Sequence, residues 1–321
     1  MKPSLSTLLA VSFAGFALVA AHAGDVLGYS VIKGHFLNQT DPDTLVTDPD
    51  FGFSILASVN LTDFYLVSAA SVRPPGGSVV AMDDLGDSWD FLDSVESLAA
   101  LNVKYGWGNY TISFTAENDG KFTCALNLPE TPLPPTPKLL NFTEVQSVNA
   151  AKALTLHWDF SETPEAGDFV QVYLNEGHAE VFSTPNYGEP EALDGTSRLV
   201  TIPASTLEPG IFYSLNIEIT RLAGTNSLCY PDAEGVTATF ASTSVDLVTL
   251  TPPTLRLISP PQNGTVSIEV RAEPGKTVVL QGSPVLAPWT NLQTNATPSG
   301  TNLFNVPVDG SGSLFFRAWQ P

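Results

Sequence analysis

Positively charged residues are scarce in this sequence. Lys and Arg number 13 against 33 Asp and Glu, which gives a formal net charge of −20. A surface this negative repels phosphate backbones and anionic lipid headgroups, so we do not expect nucleic acid or an anionic membrane as a partner. The charge favours solubility, and it leaves one sharper alternative open, the binding of cations by carboxylate-rich loops.

Histidine is rare as well, and the common catalytic motifs are missing. The four histidines include no pair at metal-ligand spacing. The sequence has no Gly-x-Ser-x-Gly nucleophile elbow, no phosphate-binding loop, no dinucleotide fingerprint and no zinc-protease motif. A glycosidase needs only two carboxylates. Because the sequence has many acidic residues, this alternative stays open, but the sequence does not show which two residues would form the catalytic pair. We therefore predict a protein that is not an enzyme and has no cofactor, apart from the alternative of Ca²⁺.

Only two cysteines occur, Cys124 and Cys229. They fall in stretches that we assign to different domains, and a disulfide requires a close approach of the two Cα atoms. Secretion would permit a bond, which would then fasten one domain to the other. We expect two separate thiols instead.

A long apolar run occurs only at the N-terminus, in residues 1–23. Lys2 precedes the apolar segment Leu8 to Ala20, and Ala21-His22-Ala23 has the small-x-small pattern of a cleavage site. This combination predicts a Sec-type signal peptide and an extracellular or cell-surface location. The later sequence has no segment long and apolar enough to span a membrane.

The remaining sequence has the composition of short strands and turns. Glycine and proline number 24 and 26, and they separate stretches rich in Val, Thr, Ile, Phe and Tyr. In the clearest stretch, apolar residues alternate with polar ones from Tyr213 to Thr220, as in a half-buried strand. We predict an all-β fold of tandem β-sandwiches with a small C-terminal β-module.

Changes in composition predict the domain boundaries. Five prolines in residues 129–137 indicate an extended linker. Asp93 to Glu96 has the pattern of a helix N-terminus, which predicts one short helix to about Val103. The predicted parts are a signal peptide at 1–23, a β-sandwich at 24–128, a linker at 129–137, a second β-sandwich at 138–245, a linker at 246–253 and the C-terminal module at 254–321.

The stretch 138–245 resembles a fibronectin type III domain. The matching residues are Trp158, Tyr173 and the corner Leu207-x-Pro209-Gly210-x-x-Tyr213. The resemblance covers about a third of the chain and implies a seven-stranded sandwich of two antiparallel sheets, with Tyr213 buried and its hydroxyl bonded to the backbone. Gly108-Asn109-Tyr110 is a looser version of the same corner, so the resemblance implies an Ig-like sandwich at 24–128 and, with 138–245, tandem Ig-like and fibronectin type III-like β-sandwiches.

The C-terminal stretch is similar to a β-module found in large secreted bacterial proteins. The similarity depends on the segments Ser283 to Trp289 and Phe315-Phe316-Arg317-Ala318. It implies a secreted bacterial multi-domain protein and brings no activity with it.

Two groups of residues are candidate sites. Asp41, Asp43, Asp48 and Asp50 form an acidic loop of the kind that can supply oxygen ligands to Ca²⁺, with a solvated turn as the alternative. Asp83, Asp84 and Asp87 form a similar cluster. Tyr105, Trp107 and Tyr110 surround two glycines, and exposed aromatic rings on such a turn could stack on a sugar.

These features favour a non-catalytic secreted or cell-surface protein for adhesion, matrix or carbohydrate contact. The expected partner is a polysaccharide or an extracellular protein. Two alternatives remain open: an enzyme or accessory subunit of extracellular polysaccharide breakdown, and a structural spacer. Neither the ligand nor the oligomeric state follows from the sequence.

Overall fold

The computed structural model describes residues 24–231, 233–262, 264–308 and 314–320. The predicted signal peptide, residues 1–23, lies outside the described residues. The described chain is built almost entirely of β-strands, with two short helices, α1 (Leu98–Lys104) and α2 (Phe142–Val145). This confirms the predicted all-β class.

The strands in chain order are β1 (Val26–Gln39), β2 (Leu45–Thr47), β3 (Phe53–Leu61), β4 (Val67–Arg73), β5 (Val80–Ala81), β6 (Asp83–Asp84), β7 (Ser88–Val95), β8 (Gly108–Ala116), β9 (Gly120–Leu128), β10 (Pro137–Leu139), β11 (Leu154–Phe160), β12 (Phe169–Glu176), β13 (Ala179–Ser183), β14 (Leu193–Asp194), β15 (Leu199–Ile202), β16 (Phe212–Asn226), β17 (Glu234–Val248), β18 (Thr254–Gln262), β19 (Thr265–Arg271), β20 (Thr277–Ser283), β21 (Thr290–Ala296), β22 (Thr301–Pro307) and β23 (Phe315–Trp319).

Two sandwiches follow one another along the chain. In the first, the strands β1-β3-β7-β6 pack against β5-β4-β8-β9, an Ig-like arrangement. In the second, β13-β12-β16-β17 pack against β10-β11-β15, which is the strand order of a fibronectin type III domain. Its core contains the fully buried Trp158 and the buried residues of β16, Tyr213, Leu215, Ile217 and Ile219. The alternation in the sequence is therefore the pattern of a strand with one face in this core.

The larger sheets of the two sandwiches are one continuous ten-stranded sheet. Strand β1 pairs in parallel with β17, from Gly28 opposite Glu234 to Asn38 opposite Ser244. At the middle of this pairing the ring of Phe240 covers Gly34, and a Cβ at that glycine would lie 2.1 Å from the ring. Only glycine fits there, so the contact fixes the register of the two strands.

The proline-rich segment lies along this sheet. Proline has no backbone N–H, so the segment cannot form a full ladder with its neighbour. Instead, the hydroxyls of Thr237, Thr239 and Thr243 on β17 donate to the carbonyls of Asn127, Pro132 and Pro137. The predicted linker is therefore held against the sheet, and it does not separate two independent bodies.

The expectation of two separate thiols is wrong, because Cys124 and Cys229 form a disulfide. Cys124 lies on β9 of the first sandwich, and Cys229 lies between β16 and β17 of the second. The next residue, Tyr230, accepts bonds from the backbone N–H groups of Asp25 and Val26. The shared sheet brings the two cysteines together, and their separation of 105 residues in the sequence gave no sign of it.

The helix α1 leads into a second tyrosine corner. Tyr110 is fully buried, and its hydroxyl donates to the carbonyl of Gly106, 2.8 Å away. The helix begins later than predicted, because Asp93 to Val95 belong to β7 and Ser97 is the N-cap, accepting a bond from the N–H of Ala100. Tyr213 at the predicted corner is buried as expected.

A second compact unit contains residues 248–321, with 147–152 and 207–211. Its described strands form the sheets β18-β19-β22 and β21-β20-β23. Val266, Ile268, Leu280 and Phe304 are among the residues of its core. The predicted turn at 309–312 lies outside the described residues.

Candidate functional site

Three loops meet at one end of the first sandwich. They connect β3 to β4 (62–66), β6 to β7 (85–87) and β8 to β9 (117–119). Backbone bonds join them: Leu61 donates to Asp87, Tyr65 to Gly86, and Glu117 to Leu66. Binding residues of Ig-like domains are carried on loops at such an end, because the sandwich below holds them rigidly.

The tip of this end carries two adjacent aromatic side chains, Phe64 and Tyr65, which we name the aromatic pair. They are 62% and 70% exposed, and their ring centroids lie 6.2 Å apart. Tyr65 has φ of 61°, a conformation that is unfavourable for a bulky side chain. Backbone strain of this kind persists only where neighbouring structure holds it, and it is concentrated at functional sites.

Gly86 allows the two loops to approach closely beneath the aromatic pair. A Cβ at this position would contact the rings of Phe64 and Tyr65, and its φ of +98° would strain any other residue. The N–H of Gly86 is bonded to the carboxylate of Asp84, while its carbonyl accepts from Tyr65. The aromatic pair is therefore displayed on a fixed platform.

The loop that carries the aromatic pair and the neighbouring segment 83–87 contain only negative charges. The loops and their flanks carry Asp63, Asp83, Asp84 and Asp87, and residues 62–66 and 83–87 contain no Lys or Arg. Asp63 accepts a bond from the N–H of Phe64 at 2.8 Å. Such a rim repels anionic ligands and leaves the rings accessible to an uncharged one.

The sequence does not reveal this site, because the aromatic residues Phe64 and Tyr65 have the composition typical of the start of a strand. The strand begins at Val67. The available signal was the turn-forming run Asn60-Leu61-Thr62-Asp63 directly before two consecutive aromatic residues. A turn of this kind places the residues that follow it at a loop tip.

The predicted sugar-stacking trio does not form an exposed surface. Tyr105 and Tyr110 are buried, and burial raises the pKa of both phenols. The hydroxyl of Tyr105 is bonded to Asp93, which also pairs with Lys104. Trp107 is half-buried, and the Nζ of Lys33 lies 3.8 Å from its ring centroid. One face of the indole is thus occupied by this chain's own ammonium group.

Lys33 is a fully buried cation inside the first sandwich. Its Nζ donates to the side chain of Asn102 and to the carbonyl of Tyr105, and it contacts Trp107. Tyr105 is the C-cap of α1, so the ammonium group satisfies a carbonyl that the helix leaves free. Among the described residues no carboxylate is bonded to it, and burial lowers its pKa to about 8.

This pKa predicts an alkaline increase in stability. The folded-state pKa lies below the usual lysine value of 10.5, so the unfolded state binds more protons above pH 8 and the contribution of this group to stability rises with pH. The contribution of Lys33 alone between pH 8 and pH 9.5 is about 1.5 kcal/mol. Glu218, whose pKa burial raises to about 8, and the buried tyrosines contribute in the opposite direction over the same range, so the effect should be measured as the difference in the free energy of unfolding in urea between the natural protein and Lys33→Met.

Two lysine variants distinguish this effect from general alkaline behaviour. Lys33→Met is expected to remove the increase, whereas Lys104→Met, at a half-exposed position on α1, should leave it in place. An equal increase in Lys33→Met and in the unmodified protein would show that another group is responsible.

The acidic loop does not gather its carboxylates around one point. Asp41 accepts from the N–H groups of Asp43 and Thr44, and Asp48 accepts from those of Asp50 and Phe51. The bonds to Thr44 and Asp43 lower the pKa of Asp41. Asp43 pairs with Lys138. These side chains stabilise two turns, and within the described ranges no group of three or more His, Cys, Asp and Glu side chains is placed to hold a metal ion.

A groove of about 270 Å³ lies between β9 and β16. Its lining includes Asn109, Asn127, Asn226 and Thr237, and none of its lining residues is titratable. The groove therefore lacks the pair of carboxylates on which glycoside hydrolysis depends. No helix among the described residues has the length and apolar composition to cross a membrane.

The strand order and the tyrosine corners define a protein with Ig-like and fibronectin type III-like sandwiches. No family model and no curated protein matches the chain. Among solved structures, it is similar to the chicken CNTN1 FN1-FN3 domains, with 8% identity, a TM-score of 0.23, and coverage of 83% of this chain and 88% of that chain.

A second similar structure contains the fibronectin(III)-like modules of CbhA from Clostridium thermocellum. Its identity is 12% and its TM-score 0.19, covering 69% of this chain and 94% of that chain. A tetra-tandem repeat from the extending region of a large adhesion protein matches with 11% identity and a TM-score of 0.21, covering 92% and 74%. At these values the similarities carry no argument about function, so the site must be judged by its own geometry.

Proposed function

We propose that this protein is a non-catalytic extracellular contact protein that binds an uncharged polysaccharide through the aromatic pair. The observation that supports the proposal is the exposure of Phe64 and Tyr65 on a rigid loop platform, with Tyr65 in a strained conformation. Flat aromatic rings bind the apolar faces of sugars, and the surrounding aspartates can accept bonds from sugar hydroxyls.

The location follows from the chemistry of the fold. A disulfide persists in oxidising compartments and is rare in the cytosol, which indicates a secreted protein. We propose that residues 1–23 direct export and that the contact occurs outside the cell or at its surface.

The test measures binding of the full chain to cellulose, chitin, mannan and xylan by pull-down and by affinity electrophoresis. We expect binding to at least one of these polymers and a loss of about tenfold or more in affinity for Phe64→Ala and for Tyr65→Ala. Phe212→Ala is the matched control, because Phe212 is 71% exposed on a different part of the same unit.

Two results would contradict the proposal. Unchanged binding in Phe64→Ala and Tyr65→Ala would move the contact away from the aromatic pair. Binding to none of the polymers would favour an extracellular protein partner or a structural spacer. A salt titration adds a further check, because the affinity for an uncharged sugar should change little between low and high salt.

A further inference from the structure

The pairing of β1 with β17 has a mechanical consequence. The two strands run in the same direction through eleven consecutive residue pairs. Strand β1 begins at the end of the sandwich that carries the aromatic pair, since Val26 lies opposite Leu61. Strand β17 ends at Val248, at the far end of the same ladder. A pull on the start of β1 against the end of β17 is therefore directed along the strands.

A pull in this direction loads the ladder in shear. Every hydrogen bond between β1 and β17 must then yield together, because neither strand can be peeled away one residue at a time. Strand β1 is held on its other side by β3, from Val26 to His35. Forced unfolding is governed by the unfolding barrier, and a barrier that contains many simultaneous bonds is high.

Side chains reinforce both ends of this ladder. At the start, the carboxylate of Asp25 accepts from the backbone and side chain of Asn118, and the hydroxyl of Tyr230 accepts from the N–H of Asp25. At the far end, Gln39 both donates to the carbonyl of Leu139 and accepts from its N–H. In the middle, Phe240 covers Gly34.

We propose that this unit bears mechanical tension, with β1 and β17 as the clamp. The load would enter through a ligand held at the aromatic pair on the β3–β4 loop, pass from β3 to β1 through their ladder, and leave through the part of the chain that follows Val248. Only the direction of the load rests on the proposed contact function; the resistance of the clamp is a property of the sheet itself. The disulfide adds a second level of protection, because it keeps the 105 residues from Cys124 to Cys229 from extending after the clamp has opened.

Single-molecule force spectroscopy on the full oxidised chain tests the proposal through the choice of attachment points. One molecule carries an azide-bearing residue in place of Leu27, which is exposed near the start of β1, and a second handle at the C-terminus. The control carries the first handle at Gly177, in the turn after β12. Neither change touches a residue of the clamp pairing or the disulfide.

The control geometry loads the same sheet without shearing the clamp. Strand β12 is antiparallel to β16, and β16 is joined to its neighbour β17 by a connection too short for a parallel crossover. The end of β12 therefore lies beside the end of β17. A pull between them opens the ladders from one end, a few bonds at a time.

We expect the unfolding force from Leu27 to exceed that from Gly177 by about twofold or more at the same loading rate. An equal or lower force from Leu27 would overturn the proposal, whether or not the protein binds a polysaccharide. Reduction of the disulfide should lengthen the extension by about 350–380 Å, the contour of the 105 residues it closes off. An unchanged extension would show that the disulfide does not limit the opened chain.

Discussion

Replacing Cys124 and Cys229 with alanine is expected to lower the free energy of unfolding by about 4–5 kcal/mol. The disulfide closes a loop of 105 residues that runs from β9, the last strand of the first sandwich, through every strand of the second sandwich except β17. Without it, the unfolded chain gains the freedom of that whole loop, while the folded chain keeps its sheets. Urea unfolding of the oxidised protein and of the variant measures the difference.

A reducing agent provides the control for this prediction. Reduction should remove most of the difference between the natural protein and the variant, and it should leave the variant unchanged. If the natural protein and the variant unfolded at the same urea concentration under oxidising conditions, the shared sheet alone would hold the sandwiches together. Cys124 is fully buried, so part of any loss reflects packing; reduction of the natural protein separates the two contributions, because it keeps the sulfur atoms in place.

The parts of the fold that follow from short-range patterns could be predicted from the sequence. Tyr213 to Ile219 alternate because one face of β16 packs in a core, and Tyr110 resembles Tyr213 because both close a corner. The shared sheet gave no such signal. Gly28 and Glu234 pair across 206 residues of sequence. The contact that fixes this pairing is the ring of Phe240 over Gly34, and a single glycine opposite a distant phenylalanine forms no recognisable sequence pattern.

The candidate site was harder to predict because its residue types are ambiguous. Trp107 lies between two glycines and Tyr110 lies close to them, as exposed binding aromatics often do. In the structure, however, Tyr110 closes a corner and Trp107 covers the buried Lys33. Phe64 and Tyr65 look like the start of a strand, and only the backbone bonds of the neighbouring loop turn them outward. Aspartate in a turn is equally ambiguous, because Asp41 and Asp48 use their oxygens to cap their own loops.

Asp168→Ala is expected to destabilise the protein by about 3–5 kcal/mol. Asp168 forms two parallel bonds of 2.8 Å with the guanidinium of Arg221, and both side chains are buried. This bonding to Asp168 raises the pKa of the guanidinium, which therefore stays charged. Removing the carboxylate leaves that cation buried beside β12 with only the exposed Glu165 as a partner, which offsets little of its desolvation.

The neighbouring carboxylate supplies the matched control. Glu165 also pairs with Arg221, at 2.9 Å, but its side chain is 66% exposed. Glu165→Ala should therefore change the free energy of unfolding by less than about 1 kcal/mol.

The double variant Asp168→Ala/Arg221→Met should recover part of the loss, because it removes the uncompensated charge along with its partner. If the double variant were less stable than Asp168→Ala, the loss would come from the position of β12 rather than from an uncompensated charge. Arg221 lies in β16 just before Leu222 to Asn226, where Asn226 donates to the carbonyl of Ala125 on β9. The ion pair between Asp168 and Arg221 would then matter mainly for keeping β12 and β16 in register, near the point where β16 contacts β9 of the first sandwich.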